Sequence, residues 1–268
     1  MRSVSLRKRG FEMCETFSGI LFRNDDWRWA PEYTDHYSVM IRAWKLKEAA
    51  GIAGGFVPPS AIADQTKWAK FEFTPKGYKT EKVEWDNVEG YTLRIDEDIT
   101  PEWLTQDKLD KLTKSLRHEV GKMIIRDKRD LLLGGVYILA RGADVGELQS
   151  CRVVAMTGDA QVGVMRGTSQ VGEMWGTSRV GVMRGTSQVG VMWETSQVGV
   201  MRGTSQVGEM WGTSQVGEMW GTSQVGVMRG TSQVGEMWGT SRVGVMWETS
   251  QVPGGKKPDN DKRDEVPQ

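Results

Sequence analysis

Through the second half of the chain, small and hydrophobic positions recur every nine residues in the order S-x-V-x-x-M. Ser169 to Ser241 form one column, Val171 to Val243 a second and Met174 to Met246 a third. Weaker copies run upstream through Ala160, Val162 and Met165, then Cys151, Val153 and Met156, then, one residue shorter, Ala143, Val145 and Leu148. This makes twelve units, and Ser250-Gln251-Val252 opens a thirteenth that Pro253 and Gly254 end. The degenerate copies keep a small residue in the first column and apolar residues in the other two, so the three columns are expected to form the core. A helix makes about 2.5 turns in one such unit and would send successive units to opposite faces, which disfavours helical repeats. The small-x-Val step has the period of a strand, Val and Thr favour pleated structure, and Gly172 and Gly176 read as corners. Short strands and corners at a fixed period predict a β-solenoid, whose units bury their apolar faces only by stacking.

The variable positions bear on how many units make one coil. Units ending VMRG alternate with units carrying EMWG or VMWE as far as Met210, slip at Glu218-Met219-Trp220, and then alternate again as far as Trp238. Two nonapeptides per coil put Trp175, Trp193 and Trp211 on one face and Arg166, Arg184 and Arg202 on the other, whereas three per coil scatter them. The two-sided coil is therefore favoured, and its stacked coils at roughly 4.8 Å each give a rod near ~29 Å long. Each Trp travels with a Glu, either two residues ahead, as Glu173 and Glu209 precede Trp175 and Trp211, or directly after, as Glu194 follows Trp193. Exposed aromatic rows suit binding hot spots, so Trp175, Trp193 and Trp211 with Glu173, Glu194 and Glu209 are the candidate contact residues. The alternative is that the rings stack on one another and only stiffen the sheet.

Ahead of the array, residues 11–99 read as a small α+β domain. FEFTPKGYKTEKVEW and VEGYTLRIDED alternate apolar and polar residues around turn signals and predict antiparallel strands, after a helix about Tyr37 to Ala50. The aromatics Trp27, Trp29, Trp68, Phe71, Phe73, Trp85 and Tyr91 suit the core and surface of such a domain. Thr100-Pro101-Glu102 carries helix-start chemistry, and Leu104, Leu109, Leu112, Leu116 and Val120 follow as an apolar stripe. Residues 100–142, this helix and the strand in GGVYILARGADV, are expected to cap a solenoid over 143–252. Residues 1–10 are basic and expected to be flexible, and the charged tail 253–268 to be disordered.

Charge and chemistry narrow the function classes. The 35 basic and 35 acidic residues cancel, which removes the electrostatic case for nucleic acid or an anionic membrane as the main partner. No apolar run approaches the length of a membrane helix, and Glu12, Glu15 and Arg23 interrupt the hydrophobic region a signal peptide needs after Arg2, Arg7, Lys8 and Arg9. A cytoplasmic protein with Cys14 and Cys151 as reduced thiols is expected. The array has no Asp between Asp159 and Asp259, so it lacks the carboxylates of calcium-binding nonapeptide rolls and is expected to fold without metal. Asp96, Glu97, Asp98 and Glu102 could hold magnesium, but no His or phosphate-binding loop accompanies them, and a turn is the reading preferred. His36 and His118 are isolated. No catalytic residue, metal or cofactor is expected.

The run RIDEDITPEW, a following helix, a strand such as GGVYIL and then small-x-V-x-x-apolar nonapeptides resemble proteins of phages and prophages whose arrays read N-A-x-V-x-x-V-x-G. The resemblance covers residues 91–252 by layout, with Thr-Ser here for Asn-Ala and Met for the second Val. It implies a β-solenoid and carries over no functional residues. The expectation is a non-enzymatic scaffold presenting Trp, Arg and Glu ladders to a macromolecular partner, most simply a protein, with self-association along or beside the rod as a further use. Two other readings stand beside it. One is an ice- or carbohydrate-binding surface on the Thr column, Thr168 to Thr249; the other is an enzyme within residues 11–95.

Overall fold

A computed structural model describes residues 17–29, 68–78, 83–96, 100–252 and 260–261. The chain divides into two compact units, Met1–His118 and Glu119–Gln268.

In the first unit, β1 (Phe17–Phe22), β2 (Trp27–Trp29), β3 (Trp68–Thr74) and β4 (Thr92–Ile95) form an antiparallel sheet in the order β2-β1-β3-β4. β3 and β4 are the alternating runs expected as strands. Alternation turns Phe71 and Phe73 inward with Ile20, and Trp85 and Tyr91 join them in a core that excludes water. The Tyr91 hydroxyl donates to the Trp85 carbonyl at 2.8 Å, and burial pushes its ionisation far above the ordinary tyrosine range. These aromatics are a packed core. The helix expected about Tyr37 to Ala50, Cys14, His36, Glu97 and Asp98 lie outside the described residues.

Helix α1 (Gln106–Met123) starts later than Thr100-Pro101 suggested. Residues Pro101 to Leu104 close a turn instead, the Leu104 amide donating to the Pro101 carbonyl at 3.0 Å. Thr105 is the cap, its hydroxyl accepting from the Lys108 amide at 3.4 Å, with Asp107 in the first turn beside the positive end of the dipole.

The second unit is a parallel β-solenoid of about seven turns. Its strands are β5 (Ile124–Ile125), β6 (Lys128–Leu133), β7 (Val136–Leu139), β8 (Asp144–Gln149), β9 (Arg152–Met156), β10 (Gln161–Arg166), β11 (Gln170–Met174), β12 (Arg179–Met183), β13 (Gln188–Met192), β14 (Gln197–Met201), β15 (Gln206–Met210), β16 (Gln215–Met219), β17 (Gln224–Met228), β18 (Gln233–Met237) and β19 (Arg242–Met246). Odd-numbered strands stack in one sheet and even-numbered strands in the other. Val180 pairs with Val198 and Met183 with Met201, so each residue sits over its equivalent two units on, and two nonapeptides make one coil. The two-sided coil is the one observed.

The Ser, Val and Met columns point inward as expected: Ser205 is 0%, Val207 1% and Met210 0% exposed. Glycine has two separate jobs. Gly212, with a φ of 69°, turns a corner, while Gly199 lies inside β14, where an added Cβ would come 2.5 Å from the Gly181 carbonyl oxygen one coil below. The column that includes Gly172 is therefore strand interior and not the corner expected of it. Its glycines let successive backbones approach side by side. Val154 occupies that column in β9, where the pairing with β7 shifts register between Tyr137 and Leu139.

The stacked strands begin at Ile124, upstream of the Ala143 at which the repeat becomes readable. On β6, Arg129 is in register with the inward Val145 but is exposed, its Nε and Nη2 held by Asp127 at 3.0 Å and 3.0 Å. A charge in the apolar column of an edge strand discourages further stacking there. In the C-terminal tail, Asn260–Asp261 pair in parallel with β19.

Candidate functional site

The corner after each strand carries the variable side chain. On the odd sheet the column reads Trp175, Trp193, Trp211, Arg229, Trp247, and the amides from Trp193 onward donate to Met174, Met192, Met210 and Met228 carbonyls at 2.8–2.9 Å. In-register backbones one coil apart leave the rings little choice but to stack. Trp175 and Trp193 lie 5.0 Å apart at 15°, and Trp193 and Trp211 5.3 Å apart at 23°. The structure thus brings the three expected tryptophans together, as half-buried rings rather than fully exposed ones.

The glutamates divide by task. Glu173 is 4% exposed and its carboxylate accepts the Trp175 indole N–H at 2.7 Å; Glu209 does the same for Trp211 at 2.8 Å. Glu218 and Glu236 repeat the arrangement with Trp220 at 2.7 Å and Trp238 at 3.1 Å. Glu194 stands instead at the corner, in left-handed backbone with a φ of 55°, and its carboxylate accepts the Gly176 amide one coil below at 2.7 Å. Glu248 makes the equivalent bond to Gly230 at 2.6 Å. The pairing of Trp with Glu seen in the sequence is thus a local hydrogen bond in one unit type and an inter-coil brace in the other. Trp193, in a unit of the second type, keeps its indole nitrogen buried without a hydrogen-bond partner.

The even sheet carries a different column: Arg166, Arg184, Arg202, Trp220, Trp238. Arg166 pairs with Glu147 at 2.9 Å, and Trp220 and Trp238 stack at 5.3 Å. Beside this column an open groove of about 370 Å³ runs across β8 to β16, floored by Gly163, Gly181, Gly199 and Gly217 and walled by Gln161, Arg179, Gln197 and Gln215. This groove follows from the glycine column and was not anticipated. The signal for it is the Gly that follows the inward Val in each even-sheet unit from Gly146 to Gly235.

The threonines face another use. Thr195 donates its hydroxyl to the Gly176 carbonyl of the coil below at 2.9 Å, and Thr186, Thr204 and Thr213 do likewise at 3.1, 3.2 and 3.1 Å. Their donors are engaged with the rod itself. Of the four carboxylates Asp96, Glu97, Asp98 and Glu102, Asp96 is paired with Arg94 at 3.1 Å and Lys70 at 3.8 Å. Among the described residues no group of three or more His, Cys, Asp or Glu could hold a metal, and no helix is long and apolar enough to cross a membrane. Cys151 is a buried free thiol that donates to the Leu132 carbonyl at 2.9 Å, and burial pushes its ionisation above the ordinary value. No protein-family model, curated protein or solved structure matches this chain.

Proposed function

We propose that the protein is a non-enzymatic scaffold, working in the cytoplasm and encoded by a phage or mobile element, whose solenoid presents fixed ladders to a macromolecular partner, most simply a protein. The origin rests on the layout resemblance alone. The observation that carries the binding role is the in-register column Trp175, Trp193 and Trp211, which holds three half-buried indoles at 5.0 and 5.3 Å spacing with no freedom to disperse. A preorganised aromatic row loses little entropy on contact, and Trp is enriched where binding energy concentrates.

Replacing all three tryptophans with Ser, and following melting temperature together with partner capture, tests the reading. Capture should fall while the rod stays folded. Lost stability with intact capture assigns the ladder to structure alone. The Thr-column reading is weaker, because the hydroxyls of Thr186, Thr195, Thr204 and Thr213 already donate within the rod and leave only acceptors for ice or sugar. Thermal hysteresis would restore it, and activity retained by residues 1–142 would favour an enzyme.

A further inference from the structure

We infer that the outer face of the even sheet is a self-complementary docking surface for a second copy of this chain, packed face to face with the rod axes antiparallel. The inference stands apart from the tryptophan column of the odd sheet.

It rests on the order of side chains along one column. The amides of Arg184, Arg202, Trp220 and Trp238 donate to Met165, Met183, Met201 and Met219 carbonyls at 2.8–2.9 Å, so these four residues stack on consecutive coils. The side chains of Arg184 and Arg202 are exposed and make no ion pair or hydrogen bond among the described residues. Like charges one coil apart repel, and no ion pair among the described residues relieves them. Trp220 and Trp238 are 39% and 49% exposed, and they stack face to face, so each presents its edge outward with the carboxylate of Glu218 or Glu236 beside it. One half of the column is thus basic and the other half acidic and aromatic.

A two-fold axis along the strand direction, between β14 and β16, reverses the rod while keeping like columns opposed. It sets Arg202 opposite Trp220 and Arg184 opposite Trp238 of the second copy, with the Glu218 or Glu236 carboxylate two residues earlier on the facing strand within reach of each guanidinium. Symmetry supplies each contact twice. Guanidinium meets carboxylate, and the edge of the indole stack is covered in the same step. The half-buried Val200 lies next to the axis, with Val182 one coil further out. The odd sheet cannot do this, because its one array arginine in the column, Arg229, already sits over Trp211 and Trp247 at 4.7 and 5.4 Å. Four rungs, β12 to β18, of roughly 4.8 Å by a strand of about 17 Å give a contact of about 330 Å² per copy, smaller than a stable specific interface, so the dimer is weak and reversible.

Sedimentation velocity of the full chain over a concentration series, at low and high salt, tests this. The wild type should dimerise reversibly and less at high salt. Two charge-reversed variants, Arg184→Glu with Arg202→Glu and Glu218→Arg with Glu236→Arg, should each associate at least tenfold more weakly alone. Mixed in equal amounts they should dimerise again, since every facing pair is once more opposite in sign. Circular dichroism checks that each variant folds, and Arg184→Gln with Arg202→Gln, also at least tenfold weaker, replaces any that does not. A monomeric wild type at every concentration overturns the proposal, as does association unchanged by charge reversal or a mixture that stays monomeric. Polyglutamate or an oligonucleotide bound through Arg184 and Arg202 by a monomeric wild type would give the surface to an anionic polymer and likewise overturn it.

Discussion

The guanidinium of Arg229 lies 4.7 Å from the ring centroid of Trp211, one coil away, and bridges the gap between that ring and Trp247 in a column otherwise made of indoles. A cation in this position is held by two π faces. Arg229→Ser should therefore cost about 1–2 kcal/mol in urea unfolding, and Arg229→Trp, which completes the stack, should cost less. Equal losses would mean that the place of Arg229 has nothing to do with the rings.

The inward columns differ in what they tolerate. Ser205 is fully buried and its hydroxyl has no hydrogen-bond partner, while Cys151, Ala160 and Ala143 occupy the same column upstream. Ser205→Ala should leave stability unchanged or raise it by up to about 1 kcal/mol. Val207→Asp, which places a charge among Val and Met, should cost several kcal/mol, and Gln206→Ala, on the outer surface, should change little. Thermal melts of the three variants in parallel read the order directly.

Inside the strands the constraint is backbone contact. A Cβ at residue 199 would meet the Gly181 carbonyl oxygen at 2.5 Å, and a carbonyl in a stacked sheet cannot swing aside as a side chain can. Gly199→Ala should destabilise by about 1–3 kcal/mol or more, through overpacking alone. A melt indistinguishable from wild type would show that the coils are not stacked this closely.

Cys151 should be chemically silent in the folded rod. It is 2% exposed, donates to a carbonyl, and its ionisation is pushed up by burial, so little thiolate forms at neutral pH. In a Cys14→Ser background a thiol reagent should react only as denaturant unfolds the solenoid. Rapid labelling in buffer would contradict the buried placement.

The solenoid was legible in the sequence because its core uses three residue types in fixed columns, and alternating Trp and Arg exposed the two-unit coil. The first rungs were not legible. β5 to β7 pair by backbone, as Ile124 does with Ile138, and backbone pairing leaves no residue signature once Arg129 stands where a valine would. The helix start was misplaced because Thr100-Pro101 and Thr105 offer the same capping chemistry a turn and a half apart, and only tertiary packing chooses between them. The stacking of Trp175, Trp193 and Trp211 was legible, but the glutamates' division of labour was not. Whether a carboxylate reaches its own indole or the coil below depends on the corner's backbone, where Glu194 takes the left-handed conformation usual for glycine. The even-sheet groove is not legible for a related reason: a Gly column suits a corner as well as a strand interior, and only in the strand is it an absence of side chain repeated on every coil of that sheet.

Because a nonapeptide is half a coil, copy number in the array has a parity. Adding or losing two units lengthens or shortens the rod and leaves both faces as they were. Adding or losing one unit exchanges the faces for everything that follows. The irregularity at Glu218-Met219-Trp220 is such an event in effect: beyond it Trp220 and Trp238 stand on the arginine side and Arg229 on the tryptophan side, until a second irregularity, the Trp247 unit directly after the Trp238 unit, returns Trp247 to the tryptophan side. Replication slippage in a gene of this kind would therefore act as a switch with two positions, rewriting the surface chemistry of a rod's far end while its core, built from columns common to both faces, stays intact.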